Sequence, residues 1–243
     1  MNILFLSLWL AGPAAAQTAG SLPAEGQRKY DASDYSGSVT AFAKAVERAP
    51  RAAELHYDLG NALFKAGRLG PAIASYQRAF DIRPRDGDIR YNLNFALKRA
   101  GEELRPEGVP PALFQVFYLF SERELAGLHW LGCWLTLLFA CVCLLKPETR
   151  EDLFVFLAAA ALCWGAAGAW WGSRRSLEPE LRGVIVRPAA EIRSGPGEKF
   201  GVTFTAPEGR RVEILSESAG WLEIGVLKEG ARGWLPGDSV EKI

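Results

Sequence analysis

No stretch of this chain is strongly basic or acidic: 28 Lys and Arg balance 28 Asp and Glu, and no block of either sign stands out. Nucleic-acid backbones are gripped by a clustered excess of Lys and Arg, so nucleic acid is set aside as a partner. Histidine is scarce, with only His56 and His129. General acid-base and nucleophilic catalysis need convergent groups, commonly including His. No phosphate loop, metal-ligand spacing or nucleophile elbow occurs either. An enzyme is therefore not expected, nor a cofactor or a metal centre, and binding or scaffolding remains. The four cysteines, Cys133, Cys141, Cys143 and Cys163, all fall in apolar runs, whereas a secreted disulfide framework would place them in soluble parts. Cys141 and Cys143, two apart on a helix, point to different faces, and all four read as small apolar side chains.

Charge is missing from three windows: Asn2 to Ala16, Leu125 to Leu145, and Leu153 to Ser173. The first belongs to "MNILFLSLWLAGPAAAQ", an apolar core too short to span a bilayer, followed by Ala14-Ala15-Ala16. That is a small-residue cleavage pattern, so residues 1–16 are expected to be a signal peptide, with an uncleaved anchor as the alternative because no Lys or Arg precedes the core. The other two windows are long enough to cross a membrane as helices, and Trp130, Trp134, Trp170 and Trp171 lie where aromatic belts are expected. Between them "LLKPETREDLF" packs Pro147 and five charges into Lys146 to Asp152. Such a bridge cannot enter hydrocarbon, so residues 125–145 and 153–173 are expected to form a tight transmembrane hairpin turning at 146–152, with both flanking domains on one side. Gly165 and Gly168 suit close packing of the second span against another helix.

Shifting the chain by 34 residues aligns Phe42 with Tyr76, Ala45 with Ala79, Leu59 with Leu93, and Gly67 with Gly101. The best copy, Ala53 to Asp86, resembles the tetratricopeptide repeat at Leu59-Gly60, Leu63, Ala72, Tyr76, Ala79 and Pro84, with His56 in place of the usual Trp. Small residues at Gly60, Ala72 and Ala79 let paired helices approach closely. A preceding copy spans roughly Ser21 to Tyr30 and Tyr35 to Arg48, and a half repeat spans Asp88 to Ala100. Residues 17–101 are thus expected to be an all-α solenoid of about five helices. The resemblance implies a peptide-binding groove lined by Tyr57, Asn61, Phe64, Lys65, Tyr91, Asn92 and Phe95. Asn amides both donate and accept, which suits a peptide backbone; alternatively Asn61 and Asn92 pair between helices. Basic residues that clamp a terminal carboxylate in some members are missing at Tyr57 and Asp88, which argues against that ligand.

Residues 102–124 read as a linker followed by an interfacial segment, "ALFQVFYLF" from Ala112 to Phe120, at headgroup level. Ser121 and Glu124 have capping-box spacing and mark a helix start. Beyond residue 174 the period changes to short alternating runs with Gly and Pro. Strands are expected over Gly183–Val186, Ala190–Arg193, Val202–Ala206, Arg211–Ser216, Trp221–Val226 and Arg232–Leu235. The Arg193-Ser194-Gly195-Pro196-Gly197 run, Gly220-Trp221 and Gly233-Trp234 resemble a bacterial SH3-like domain, a small all-β barrel closed by Val240 and Ile243. Phe200, Trp221 and Trp234 are candidates for a shallow ligand surface, with barrel core as the competing assignment.

The fold class is thus a multidomain membrane protein: all-α tetratricopeptide solenoid, two-helix transmembrane hairpin and small all-β SH3-like barrel. Taken in order, these parts resemble the BatE family of bacterial aerotolerance operons. The resemblance implies a non-enzymatic inner-membrane component encoded beside a MoxR-type ATPase and membrane proteins with von Willebrand A domains, linked to envelope or oxidative stress. Its partners would be peptide segments of such proteins. The alternatives are a cell-wall sensor whose SH3-like domain binds peptidoglycan, and a non-catalytic subunit of an envelope hydrolase. An export signal puts both soluble domains in the periplasm and the turn in the cytoplasm, whereas Arg174 and Arg175 beyond the second span favour the reverse by the positive-inside rule. Export is preferred, because long domains translocate with little regard to charge.

Overall fold

The computed structural model describes residues 13–177, 181–226 and 230–243. Of the expected signal segment only Pro13 to Ala16 fall among them, and the rest lies outside the described residues. Five helices come first: α1 (Pro13–Asp31), α2 (Tyr35–Arg48), α3 (Ala53–Lys65), α4 (Leu69–Ile82) and α5 (Gly87–Arg99). The 34-residue period has a local cause at the ends of α3 and α5. Gly67 and Gly101 both take left-handed backbone, with φ of 77° and 75°. In each case the two following N–H groups fold back on the helix: Gly67 N and Arg68 N donate to Phe64 O and Leu63 O, and Gly101 N and Glu102 N to Lys98 O and Leu97 O. This glycine-capped ending satisfies carbonyls that would otherwise be orphaned. Gly60 lies under the Tyr76 ring, where an added Cβ would come within 2.6 Å of the ring. His56 fills the slot of the usual Trp, buried, with Nε2 at 2.9 Å from Pro50 O.

Every residue of α4 from Gly70 to Gln77 is buried. A helix in a two-layer stack buries one stripe, so burial all round requires a further layer. The C-terminal sheet supplies it.

That sheet has seven antiparallel strands in the order β3-β2-β6-β5-β4-β1-β7. They are β1 (Arg182–Ile185), β2 (Ala189–Arg193), β3 (Val202–Pro207), β4 (Arg211–Ser218), β5 (Trp221–Val226), β6 (Ala231–Pro236) and β7 (Val240–Lys242). Alternate residues, among them Ile192, Val212, Leu222, Ile224, Leu235 and Val240, fill its core. Ile243, expected to close this core, instead packs with Val184 against the helical one. Barrel and solenoid therefore meet across a shared seam. Gly70 admits the backbone of β1 so closely that an added Cβ would lie 2.4 Å from Ile185 O, and Gly70 N donates to Glu208 Oε1 at 2.7 Å. Arg182 pairs with Asp81 at 2.9 Å and Arg78 with Glu241 at 2.6 Å. Glu102, just past α5 and buried, accepts from Arg211 N and Nε at 3.1 and 2.7 Å.

Between the two lie α6 (Pro111–Phe117), α7 (Glu122–Leu145) and α8 (Arg150–Leu177). The last two are long and apolar enough to cross a membrane, with mean hydropathy of 2.0 and 1.9 in their most apolar regions. Only 6% and 0% of those regions is buried inside the protein, which is not the pattern of a soluble core. Ser121 and Glu124 cap α7 reciprocally. At the bend Pro147–Thr149 forms one 3-10 turn, and Arg150 Nε donates to Cys143 O at 2.8 Å, so a bridge charge serves the end of α7. The helices touch where Gly132 meets Trp164 and Gly168 meets His129. Gly165, expected in this contact, faces open space, and Gly132 on α7 takes the role.

The segment expected to lie at headgroup level is also a strut. Phe114 of α6 is buried in the helical core, and Tyr118 lies 5.1 Å from Phe80. Arg174 of α8 stacks over Tyr118 at 4.5 Å and donates to Phe120 O at 3.0 Å. Arg85, just beyond α4, reaches Glu124 at 2.6 Å. Leu113, Val116 and Leu119 stay exposed on the other side.

Candidate functional site

Helices α3 and α5 run side by side in the same direction, because both are antiparallel neighbours of α4. Three levels of side chains show the alignment. At the N-terminal level Tyr57 faces the start of α5. At the middle level Asn92 Nδ2 donates to Tyr57 Oη at 2.9 Å and to Asn61 Oδ1 at 3.0 Å, while Tyr76 Oη of α4 donates to the same Asn61 oxygen at 2.7 Å. At the C-terminal level the rings of Phe64 and Phe95 lie 5.7 Å apart, with the Arg99 guanidinium 5.3 Å from each. Tyr91 stacks on Phe95 at 6.4 Å.

The two asparagines are thus joined to each other, and the Asn61 amide is also hydrogen-bonded to the Tyr57 hydroxyl. Asn92 Oδ1 has no hydrogen-bond partner among the described residues. One carbonyl acceptor therefore remains on a floor whose other contacts fix it. It complements an N–H of an extended chain. Beside it Tyr91 is 70% and Phe95 43% exposed, a stacked aromatic pair open to solvent. Lys65 is exposed at the end of α3 and belongs to none of these contacts. Tyr76 was read from the sequence as a repeat packing position and not as part of the groove floor, and Arg99 was missed; the spacing of Arg99 four residues after Phe95 was the available signal.

At the N-terminal level a cavity of about 260 Å³ is lined by Glu54, Tyr57, Asp58, Arg83, Asp86 and Asp88. Arg83 is paired with Glu54, and Asp86 caps α5 by accepting from Asp88 N and Ile89 N at 3.0 and 3.2 Å. Burial, then the neighbouring Glu54 charge, pushes the Asp58 carboxyl up to about 6. Burial also raises the phenols of Tyr57 and Tyr76.

The second candidate surface lies on the outer face of the sheet. Leu222, Ile224 and Leu235 point inward, so Trp221, Glu223 and Trp234 point outward, half-buried. Trp234 stands opposite Glu223 on β5 and Arg193 on β2, and Trp221 opposite Pro236. Phe200 covers Gly195, where a Cβ would come within 2.6 Å of its ring, and Arg193 Nη1 holds that loop through Glu198 O and Phe200 O at 3.0 and 2.9 Å. None of the three aromatics is in the barrel core.

Residues 24–87 match the tetratricopeptide repeat family and residues 188–241 the bacterial SH3 domain family. A Bacillus subtilis (strain 168) protein, YrvJ, whose name places it among N-acetylmuramoyl-L-alanine amidases, is 38% identical over 52 residues. The match covers 21% of this chain, which spans about a tenth (10%) of that relative's length. Among solved structures, MamA aligns at 16% identity over 68% of this chain and 84% of its own, with a TM-score of 0.35. The TPR2B-domain:pHsp70 complex of yeast Sti1 aligns at 17% identity over 65% of this chain and 99% of its own, with a TM-score of 0.32. The CopN–Scc3 complex gives 19% identity over 42% and 62%, with a TM-score of 0.35.

Proposed function

We propose that this chain is a non-catalytic, membrane-anchored adaptor whose α3/α5 groove holds an extended segment of a protein partner. The observation that carries the reading is the Asn92 carbonyl, an acceptor left open beside the exposed Tyr91 and Phe95 rings, on a floor that the Tyr57 and Tyr76 hydroxyls hold fixed. The tetratricopeptide match supports a protein ligand. Helices α7 and α8 cross the bilayer as a hairpin. Both soluble domains lie on one side of it, because the seam from Gly70 to Glu241 needs them in contact. That side is the periplasm of a bacterial inner membrane, as the export-like N terminus suggests. The BatE-like order of parts extends the reading to the partner, a membrane protein with a von Willebrand A domain acting with a MoxR-type ATPase in envelope or oxidative stress.

The test is purification of the full chain from its native membrane in mild detergent, with Tyr91→Ala and Phe95→Ala together as the variant. Von Willebrand A-domain proteins should accompany the parent chain and be lost from the variant. Their absence from the parent preparation would remove the named partner. An impermeant thiol reagent on Glu148→Cys, at the exposed bend, reads the orientation: labelling before the membrane is permeabilised would reverse it.

A second reading is favoured by a separate observation, the outward placement of Phe200, Trp221 and Trp234. With the bacterial SH3 match and the amidase similarity, it supports a cell-wall sensor in which this face binds peptidoglycan. A non-catalytic subunit of an envelope hydrolase would use the same face. Co-sedimentation with purified cell wall, lost on Trp221→Ala while the groove partners stay bound, would favour this reading.

A further inference from the structure

The groove between α3 and α5 carries opposite charges at its two ends. At the N-terminal level Glu54, Asp58, Asp86 and Asp88 surround the cavity that Tyr57 helps to line. At the C-terminal level stand Lys65 and Arg99, both exposed. Acids in the first turn of a helix and bases in the last suit the helix dipole, and Glu54, Asp88, Lys65 and Arg99 occupy such positions. Asp58 does not. It is the sixth residue of α3, half-buried, and the nearby Arg83 is paired with Glu54 instead. None of Asp58, Asp86 and Asp88 has a cationic partner among the described residues, and neither Lys65 nor Arg99 has an anionic one.

The spread of the carboxylates decides what kind of cation suits them. Among the described residues no three acidic groups converge closely enough to chelate a metal ion. They line a cavity of about 260 Å³ instead, below the roughly 300–1,000 Å³ of a site that encloses a whole small ligand and on the scale of one long side chain. Tyr57 belongs both to this wall and, through its bond to Asn92, to the groove floor, so the cavity is the end of the groove and not a separate site. Spacing sets the length of what spans the two ends. Asp58 precedes Lys65 by seven residues and Asp88 precedes Arg99 by eleven, roughly 10 and 16 Å along helices that rise about 1.5 Å per residue. An extended chain covers those lengths in about three and five residues. Between the ends lie the open Asn92 acceptor and the exposed Tyr91 and Phe95 rings.

Resting on the groove reading given above, we propose that the groove selects its segment by charge order: a Lys or Arg side chain enters the cavity at Asp58, an Asp or Glu about three to five residues away meets Lys65 and Arg99, and an apolar side chain between them covers Tyr91 and Phe95. The occupant is an extended protein segment of mixed charge, neither an acidic tail nor a basic one.

The experiment probes the full chain, purified in mild detergent, with an array of random octapeptides, acetylated and amidated so that terminal charges play no part. Captured sequences should carry the basic and acidic residues at that separation, with an apolar residue between. Changing the Lys or Arg of a captured peptide to Gln should weaken binding roughly tenfold, the low end for a hydrogen bond to a charged group. On Asp58→Asn with Asp88→Asn the same peptide change should have no effect, while the preference for Asp or Glu persists; Lys65→Gln with Arg99→Gln should show the converse. A peptide with Gln in place of both charges should bind parent and variants alike, which checks that the variants are folded, and the comparison of peptides on the parent needs no variant at all. Capture without either charge preference overturns the charge order and leaves the groove reading standing, whereas capture of no peptide removes both. A Lys or Arg preference that survives in the Asp58→Asn, Asp88→Asn variant overturns the proposal. Displacement of the peptide by an equal concentration of spermidine would assign the cavity to a free polyamine and overturn it too.

Discussion

Asp58 carries a charge that the fold does not welcome, and replacing it with Asn should stabilise the repeat domain at neutral pH. The carboxyl is half-buried in α3, Glu54 lies beside it, and the one nearby Arg83 is already paired with Glu54. Its pKa rises from the ordinary 3.8 to about 6. Because the folded value lies above the unfolded one, the folded state binds the proton more tightly. This contribution to stability is fully present below about 3.8, declines as pH climbs towards 6, and above 6 leaves a constant cost. About two units at roughly 1.4 kcal/mol each set a ceiling near 3 kcal/mol. Partial solvent screening brings the expected gain from Asp58→Asn to about 1–2 kcal/mol at pH 7.5, falling to nothing near pH 4. Hydrogen exchange of the α3 and α5 amides, measured on the full chain in detergent, is the right assay, since none of the eight Trp lies in α2 to α5 and fluorescence would report on other parts. Equal protection in parent and variant at pH 7.5, or a gain that persists at pH 4, would refute the reasoning. Charges that cost stability tend to be kept where a ligand uses them, and Asp58 borders the Tyr57 end of the groove.

Two further outcomes follow from the seam and the repeat. Glu102→Gln leaves Arg210 and Arg211 facing a neutral amide, and breaking a buried pair of this kind costs about 3–5 kcal/mol; hydrogen exchange in β1, β4 and β7 should rise while β2 and β3 are unchanged. Burial lowers the pKa of His56 from 6.5. The unfolded chain therefore takes up that proton first, and stability should fall as pH drops below about 6.5, an acid sensitivity that His56→Phe should reduce in thermal denaturation followed by circular dichroism.

Much of the architecture was legible because it is written in local periodicities. The glycine endings at Gly67 and Gly101, the small residues under Tyr76 and the alternation along β4 and β5 each act within a few neighbours, so spacing alone exposes them. The seam is different in kind. Gly70, Ala74 and Gln77 cover the second face of α4, and nothing in a helical period says that a strand over 100 residues away will lie against them. A signal existed all the same: from Gly70 to Tyr76 α4 carries no charged or long polar side chain on any side, which a solenoid on its own does not require. The groove was half legible. Positions on α3 and α5 could be assigned by analogy, but whether Asn61 and Asn92 face each other or a ligand depends on how far apart the two helices stand, and that distance is set by Tyr57, Tyr76 and the packing of α4 beneath. Trp221 and Trp234 were ambiguous because bulk argues for a core, while strand parity, which decides the matter, depends on register.

The same contacts decide how a load on the groove would travel. A solenoid joined to α6, α7 and α8 by the nine residues 102–110 alone would swing on that linker, and a pull on the groove would be absorbed there. Here both ends of the linker are fixed, Glu102 by the barrel and Phe114 by the helical core. Arg85 ties the repeat to the start of α7, and Arg174 ties the end of α8 to the carbonyls of Phe117 and Phe120. The solenoid is therefore held at both helices of the hairpin, with the barrel braced on the opposite side of α4 from the groove. Since Tyr57, Tyr76 and α4 form one packed unit, a segment seated on Asn61 and Asn92, as proposed, would act on that unit as a whole. Tension in such a partner would then reach α7 and α8 as a tilt of the pair, and Arg174, which joins α8 to α6, is the side chain whose loss would let the two helices respond separately.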